Sequence, residues 1–346
     1  MGVLRSAAPA SDAQLEDLLS TPSTGVQDAL GACPGDVVVL GAGGKIGPTL
    51  ARMIRRAADA AGSPRRVFAV SRFQSGTLAD SLREHGIEVA RADLSNPDAD
   101  AALPDAANVI FLAGQKFGTT DAPGSTWMTN VVVPAAVAAR YRNSRIVALS
   151  TGNVYPLSRV DAGGSREDDP PGPVGEYAWT CLGRERVLAE ASRVHGTRVA
   201  IVRLNYAIDL RYGVLVDLAQ RIRSGQPIDL RMGYVNVIWQ GDASAQVIQC
   251  LARADSPPWI VNVTGPDVLA VRAAALELGR LLGREPVFTG TEAPDALLSN
   301  TDRAQAAFGP PRISSAQLIE WVAEWVGRDG ATLGKATHFE EREGRF

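Results

Sequence analysis

Cysteine is scarce in this chain of 346 residues. Cys33, Cys181 and Cys250 are odd in number and widely spaced, which argues against a disulfide framework and leaves no ligand cluster for a structural metal. No metal site is expected. An excess of one charge sign is lacking too. With 21% charged residues and a formal net charge of −3, there is no basic field for nucleic acid and no polybasic segment for an anionic membrane. No apolar run reaches the roughly 20 residues of a membrane helix, and the first residues alternate small and polar types where a signal peptide would be apolar. Nucleic acid and membrane are excluded as partners, a cytoplasmic location is expected, and a small soluble molecule remains as the ligand. Internal repeats and low-complexity tracts are absent as well.

What is present is organised around Val37-Val38-Val39-Leu40, which breaks into Gly41-Ala42-Gly43-Gly44-Lys45-Ile46-Gly47 and then into a helical pattern from Ile46 to Ile54. The stretch reads as strand, phosphate loop, helix. A buried parallel strand needs continuous apolar residues. Gly41 and Gly44 can take backbone angles closed to other residues, and the free N–H groups at a helix start attract a pyrophosphate. Gly47 lets helix and strand approach closely.

Further strands follow at Arg65 to Arg72, at Ile87 to Ala90 leading to Asp93-Leu94, at Asn108 to Ala113, at Arg145 to Ser150 and at Val199 to Leu204. Helical stretches lie between them, notably Trp127 to Arg142 and Tyr177 to His195. Alternating strands and helices imply a parallel sheet, with ligands at the carboxyl ends of its strands. The length suits one large α/β unit and a smaller lobe. The expected boundaries are an N-terminal extension at 1–34, a dinucleotide-binding domain at 35–204, a substrate lobe at 205–328 and a polar tail at 329–346. The lobe is expected to hold the short strands 235–239 and 259–263. In the tail, His338, Phe339 and Phe346 are candidate anchors.

Two constellations carry chemistry. At the end of the second strand, where an acid would accept the ribose hydroxyls of NAD, the chain has Ser71-Arg72. Arg72 offers a planar fork of donors to a 2′-phosphate and Lys45 could add a point charge, so NADP is favoured over NAD. Solvated surface cations are the plainer reading of both. Ser150-Thr151 ends the fifth strand, and Tyr177 opens the next long helix. A hydroxyl that holds a substrate oxygen beside a proton-exchanging phenol is what carbonyl–alcohol interconversion needs, although a structural tyrosine would read the same.

In order, Gly41-x-x-Gly44-x-x-Gly47, Asp93-Leu94, Leu112-Ala113-Gly114, Asn130-Val131, Ser150-Thr151-x-x-Val154-Tyr155 and Tyr177 resemble the extended short-chain dehydrogenase/reductase family, the NAD(P)-dependent sugar epimerases and dehydratases. The resemblance spans about residues 35 to 328 and includes Asn262-Val263-Thr264-Gly265 and Asn300 through Pro310. It implies a doubly wound Rossmann sheet with a smaller C-terminal α/β lobe, and a homodimer packed through the Trp127 and Tyr177 helices. It further implies that Gly41, Gly43, Gly44, Lys45, Ile46, Gly47, Ser71 and Arg72 hold the cofactor. Asp93 and Leu94 would touch the adenine, while Leu112, Ala113 and Gly114 would line the nicotinamide side. Lys116 resembles a loop lysine near cofactor and substrate in the sugar epimerases. Tyr177 would be the general acid/base, Thr151 with Ser150 the oxygen-positioning hydroxyls and Asn130 their support; Asn153, Asn205, Tyr206 and Trp239 would form the substrate pocket.

The chain departs from the family where a lysine should follow the tyrosine by four residues, because that position is Cys181. In the family this lysine holds the nicotinamide ribose and lowers the tyrosine pKa; a thiol cannot do that, so Cys181 is read as an inert buried residue, a cofactor-binding residue in weak contact with the ribose, or a reactive thiol, and Lys116 and Arg184 are candidates to supply the charge. The family's Asn-x-Tyr-Gly-Pro is Asn205-Tyr206-Ala207-Ile208-Asp209 here. Val235 stands where an arginine often meets a nucleotide-sugar phosphate, which argues against a nucleotide sugar. The expected activity is that of an NAD(P)-dependent oxidoreductase or epimerase/dehydratase on a sugar or sugar-acid hydroxyl. The alternative is a dinucleotide-binding sensor or subunit without turnover, for which the missing lysine speaks and against which Tyr177 and Thr151 speak.

Overall fold

Val37–Leu40 form β1 and all four residues are fully buried, as a strand covered on both faces requires. The computed structural model describes residues 7–74, 76–96, 99 and 102–345; Phe346 lies outside them. In chain order come α1 (Asp12–Leu19), α2 (Thr24–Ala32), β1 (Val37–Leu40), α3 (Gly47–Ala60), β2 (Val67–Ser71), α4 (Gly76–Glu84), β3 (Glu88–Arg91), β4 (Asn108–Phe111), α5 (Pro123–Trp127), α6 (Val133–Arg140), β5 (Arg145–Thr151), α7 (Gly175–His195) and β6 (Arg198–Leu204). They are followed by α8 (Val214–Ser224), α9 (Gln240–Gln249), β7 (Trp259–Val263), α10 (Val271–Leu282), α11 (Asp302–Phe308) and α12 (Ser315–Gly327), with short two-residue strands between.

The seven strands form one parallel sheet in the order β7-β6-β5-β4-β1-β2-β3. The order reverses between β1 and β4, so the loops after these two strands diverge and leave a crevice at their carboxyl ends. One face of the sheet packs on α2, α3 and α9. The other packs on α6 and α7, through Val133, Val137 and Leu188. Among the described residues, no helix is long and apolar enough to cross a membrane.

Two parts of the expected lobe belong elsewhere. The strand 259–263 joins the main sheet beside β6, because Val261 and Val263 complete the apolar layer under α9. Helix α9 itself packs on that layer and on α3. The lobe core is built from α8, α10 and α12 around Trp239 and Trp321.

The termini are structural. On α1, Glu16 accepts Arg52 of α3 at 3.3 Å and Arg211 of the lobe at 2.6 Å, joining the two parts. The tail read as merely polar is folded onto the lobe: Phe339 is 1% exposed inside the lobe core. Beside it, Glu340 pairs with Arg221 at 2.5 Å, and Arg342 with Asp295. The stretch expected as one long helix is split by a π-helical turn at Met128–Val132, between α5 and α6. Such turns often mark functional sites, and this one carries Asn130.

Candidate functional site

Three glycines after β1 leave no room for side chains. A Cβ on Gly41 would lie 2.5 Å from the backbone nitrogen of Ala113, one on Gly43 2.6 Å from Ser71 Oγ, and one on Gly47 2.5 Å from the Ala42 carbonyl oxygen. Gly41 also has φ +86°, which side-chain-bearing residues rarely adopt. Helix α3 starts without a side-chain cap and with Pro48 in its first turn, leaving backbone donors directed at a ligand. Beside this cradle runs a groove of about 850 Å³ lined by Gly41, Gly43, Gly44, Ser71, Arg72, Asp93, Leu94, Leu112, Ala113 and Gly114. Its shape and donors fit an extended dinucleotide. Arg72 is exposed on the rim, and Ser95 donates to Asp93 Oδ1 through its hydroxyl (2.6 Å) and N–H (3.0 Å), which holds that carboxyl below its usual range.

Lys45 departs from expectation. Its Nζ donates to the Ala207 carbonyl at 3.3 Å and sits 3.6 Å above the Tyr212 ring, so it faces the lobe and not the groove edge near Arg72. Where the chain turns into α3, the side chain after Gly44 leaves the sheet on the lobe side. Burial there pulls its pKa down to about 7.

The chemistry gathers in a cavity of about 160 Å³ that includes Ile46, Lys45, Lys116, Thr151, Asn153, Tyr177, Asn205, Tyr206 and Tyr212 in its walls. Thr151 and Tyr177 are hydrogen-bonded, and Thr151 Oγ1 also accepts Asn153 Nδ2 at 3.0 Å. Burial raises the Tyr177 pKa far above that of an exposed phenol; the Thr151 bond and the charge of Arg184 oppose this without overcoming it. Tyr177 is therefore a neutral proton donor near pH 7. Ser150 does not join them. Its hydroxyl donates to Glu185 Oε1 at 2.5 Å, in a buried network in which Glu185 pairs with Arg203 at 2.7 Å and Arg203 donates to the Tyr155 hydroxyl at 2.7 Å. Neighbouring strand residues point to opposite faces, so Thr151 can serve the cavity only if Ser150 does not.

Cys181, where the family has lysine, is 1% exposed and packs against Tyr177, Val154 and Tyr155. Burial raises its thiol pKa, which makes it an unreactive neighbour of the phenol. The cations stand elsewhere. Arg184 donates to Asn130 Oδ1 (2.9 Å), the Asn130 carbonyl (3.3 Å) and the Leu149 carbonyl (2.6 Å). Its Nη2 lies 2.7 Å from where a Gly114 Cβ would be. Asn130 is fully buried, accepts the Gln115 N–H at 2.9 Å and donates to the Gln115 carbonyl at 2.9 Å, fixing the loop after β4. Lys116 lies on the cavity side, with Nζ 6.0 Å from the Tyr177 ring centre and 3.4 Å from the Thr337 carbonyl oxygen. Burial lowers its pKa to about 8.

Of the expected pocket residues, Asn153, Asn205 and Tyr206 reach the cavity. Trp239 does not: it is 1% exposed, stacked edge-on against Trp321 at 5.6 Å, because the lobe core needed a large apolar filler. Tyr212, Val214 and Thr337 were not anticipated. The one pointer to Thr337 in the sequence was the aromatic Phe339 in a polar tail.

A family model described as "NAD dependent epimerase/dehydratase family" matches residues 37–230. No curated protein matches the sequence. Among solved structures, UDP-glucuronic acid 4-epimerase from Bacillus cereus in complex with NAD aligns at 17% identity and TM-score 0.69, covering 85% of this chain and 99% of that one. The UDP-glucose 4-epimerase of Thermotoga maritima with UDP-glucose aligns at 16% and 0.69 with the same coverage. dTDP-glucose 4,6-dehydratase from Bacillus anthracis in complex with NAD aligns at 14% and 0.70, covering 85% and 97%. These likenesses establish the fold, and the family match covers more than half the chain: it belongs to the NAD-dependent epimerase/dehydratase family of extended short-chain dehydrogenase/reductase enzymes.

Proposed function

We propose that this enzyme oxidises, reduces or epimerises a hydroxyl-bearing carbon of a sugar or sugar acid, with Tyr177 as general acid/base. The observation that carries the reading is the bonded pair Thr151–Tyr177 in a small polar cavity beside the dinucleotide groove. The solved neighbours named as sugar-nucleotide epimerases and dehydratases support the sugar part of it.

When bound, the dinucleotide supplies the hydride acceptor or donor. Every other function is carried by the chain. The glycine cradle and the start of α3 bind the pyrophosphate. Thr151 holds the reacting substrate oxygen, and Tyr177 gives its phenolic proton to that oxygen in the reducing direction and takes it back in the oxidising one. Asn130 fixes the loop carrying Ala113 and Gly114, while Arg184 holds Asn130 and keeps a permanent positive charge behind the phenol. With no acid at the end of β2 and Arg72 on the rim, the cofactor is NADP in preference to NAD.

The exposed apolar residues Trp127, Met128, Val132 and Trp179 lie on α5, the π turn and α7, which pack together. This face joins two copies in a homodimer, and the enzyme works in the cytoplasm. The decisive experiment follows nicotinamide absorbance with a panel of sugars and sugar acids in wild type and Tyr177→Phe. Turnover abolished in the variant, with cofactor binding retained, supports the assignment. A wild type that binds cofactor and turns over no member sinks it.

A further inference from the structure

We propose that Lys335, in the C-terminal segment, binds the pyrophosphate of the dinucleotide and closes from the lobe side the site that the glycine loop opens. The inference rests on the dinucleotide part of the reading above and adds to it a residue from outside the Rossmann half.

Position is the first argument. The groove beside Arg72 and Asp93 and the cavity in front of Tyr177 are joined by a third space of about 1100 Å³. It shares Gly43, Gly44 and Leu78 with the groove, and Lys45 and Tyr212 with the cavity. A dinucleotide with its adenosine in the groove and its reacting ring near Tyr177 must cross this space with its pyrophosphate, which belongs at the N-terminus of α3. Pro48 and Thr49 of that first turn line the space, and so do Leu333, Lys335 and His338 of the C-terminal segment.

The segment is held on both sides of Lys335. Before it, the Leu333 N–H donates to the Arg211 carbonyl at 3.0 Å. After it, Thr337 donates to Asp217 Oδ2 through its N–H (2.8 Å) and its hydroxyl (2.6 Å), and its carbonyl accepts Lys116 Nζ at 3.4 Å. The His338 ring lies 5.6 Å from Phe117, on the loop after β4. The backbone that carries Lys335 is therefore fixed at the edge of the space.

Charge is the second argument. Most cations around the space are already balanced. Arg52 and Arg211 share Glu16 at 3.3 and 2.6 Å, and Arg211 also takes Asp209 at 2.9 Å. Lys45 donates to the Ala207 carbonyl and lies in the field of Asp209 and Asp217, and Asp217 acts on Lys116 as well. Lys335 is exposed and joins no ion pair among the described residues. An ammonium on a long flexible stem is suited to meet a phosphate oxygen from a neighbouring wall.

The test is fluorescence titration of the full chain with NADPH and with NADH, in wild type and in Lys335→Met. Both dinucleotides carry the same pyrophosphate, so both should bind roughly tenfold more weakly in the variant at low salt, the loss of one charged hydrogen bond. The difference should shrink as salt screens it. Lys335→Arg should recover most of the affinity. Thermal unfolding of unliganded Lys335→Met should match wild type, because the side chain is exposed; a destabilised variant would assign the residue to the fold and overturn the inference. Unchanged affinity overturns it too, as does a loss confined to NADPH, which would place Lys335 at the 2′-phosphate. Each of these results leaves the sugar-processing assignment standing. Failure of the wild type to bind either dinucleotide overturns both.

Discussion

Arg184 Nη2 donates to Asn130 Oδ1 at 2.9 Å, so a cation two helical turns beyond Tyr177 is anchored in the π turn at the site where the family lysine is missing. An arginine cannot lose its proton in the accessible pH range, and its fork bonds three acceptors at once. The charge is fixed in place but does not touch the phenol.

Arg184→Met should strip donors from Asn130 and from the Leu149 carbonyl. Asn130 Oδ1 keeps the Gln115 N–H, but each hydrogen bond lost to a charged donor is worth roughly 1.5–3 kcal/mol, so urea unfolding should show a loss of at least about 2 kcal/mol. The loop after β4 should loosen with it, read as weaker dinucleotide binding. A variant as stable as wild type would contradict this role for the guanidinium.

Ser150 and Thr151 should separate stability from chemistry. Ser150→Ala removes a hydrogen bond to the buried Glu185 and should cost about 1–3 kcal/mol with kcat nearly unchanged. Thr151→Ala should lower kcat by about 10²-fold or more with little loss of stability. The opposite pattern would mean the strand faces have been assigned to the wrong roles.

Because burial holds Tyr177 protonated well above the ordinary phenol range, oxidation of a substrate hydroxyl should accelerate through alkaline pH without a plateau near neutrality. Reduction uses the phenol as acid and should stay flat there. Lys116 loses its charge near pH 8, which should add an inflection to the KM profile of an anionic substrate, absent in Lys116→Met. Rate profiles in both directions from about pH 6 to 10 check this.

Lys45 gives a stability prediction. Its pKa is about 7 in the folded chain against an ordinary 10.5, so between these values the unfolded chain carries the extra proton. Stability linked to this group therefore increases as pH rises from about 7 toward 10 and is lost as pH falls back to 7. Thermal unfolding of wild type and Lys45→Met across this window should show the wild-type gain shrinking in the variant. Parallel curves would count against a desolvated lysine.

NADPH should bind more tightly than NADH by the roughly 1.5–3 kcal/mol of a charged hydrogen bond. Arg72→Ala should erase the difference in fluorescence titrations. Lys45→Met should not, since that side chain faces Ala207 and Tyr212.

Local signals were enough to read the dinucleotide half. The apolar run Val37–Leu40 and the glycines after it determine strand, turn and helix within a few residues, and the spacing of Thr151 and Tyr177 places both at the ends of predictable elements. The sequence also showed that Cys181 cannot replace a lysine. What replaces it was decided in three dimensions. Arg184, two turns along α7, and Lys116, on the loop after β4, both come near Tyr177 because α7 packs on the π turn and the tail covers that loop. Ser150 and Trp239, expected at the site, lie in buried networks for the same reason: identical residue types serve a core or a cavity according to which face packing buries. The placement of β7 beside β6, and of Thr337 beside Tyr177, depends on contacts between residues far apart in the chain. No local pattern encodes them; burial of apolar surface across the whole fold does.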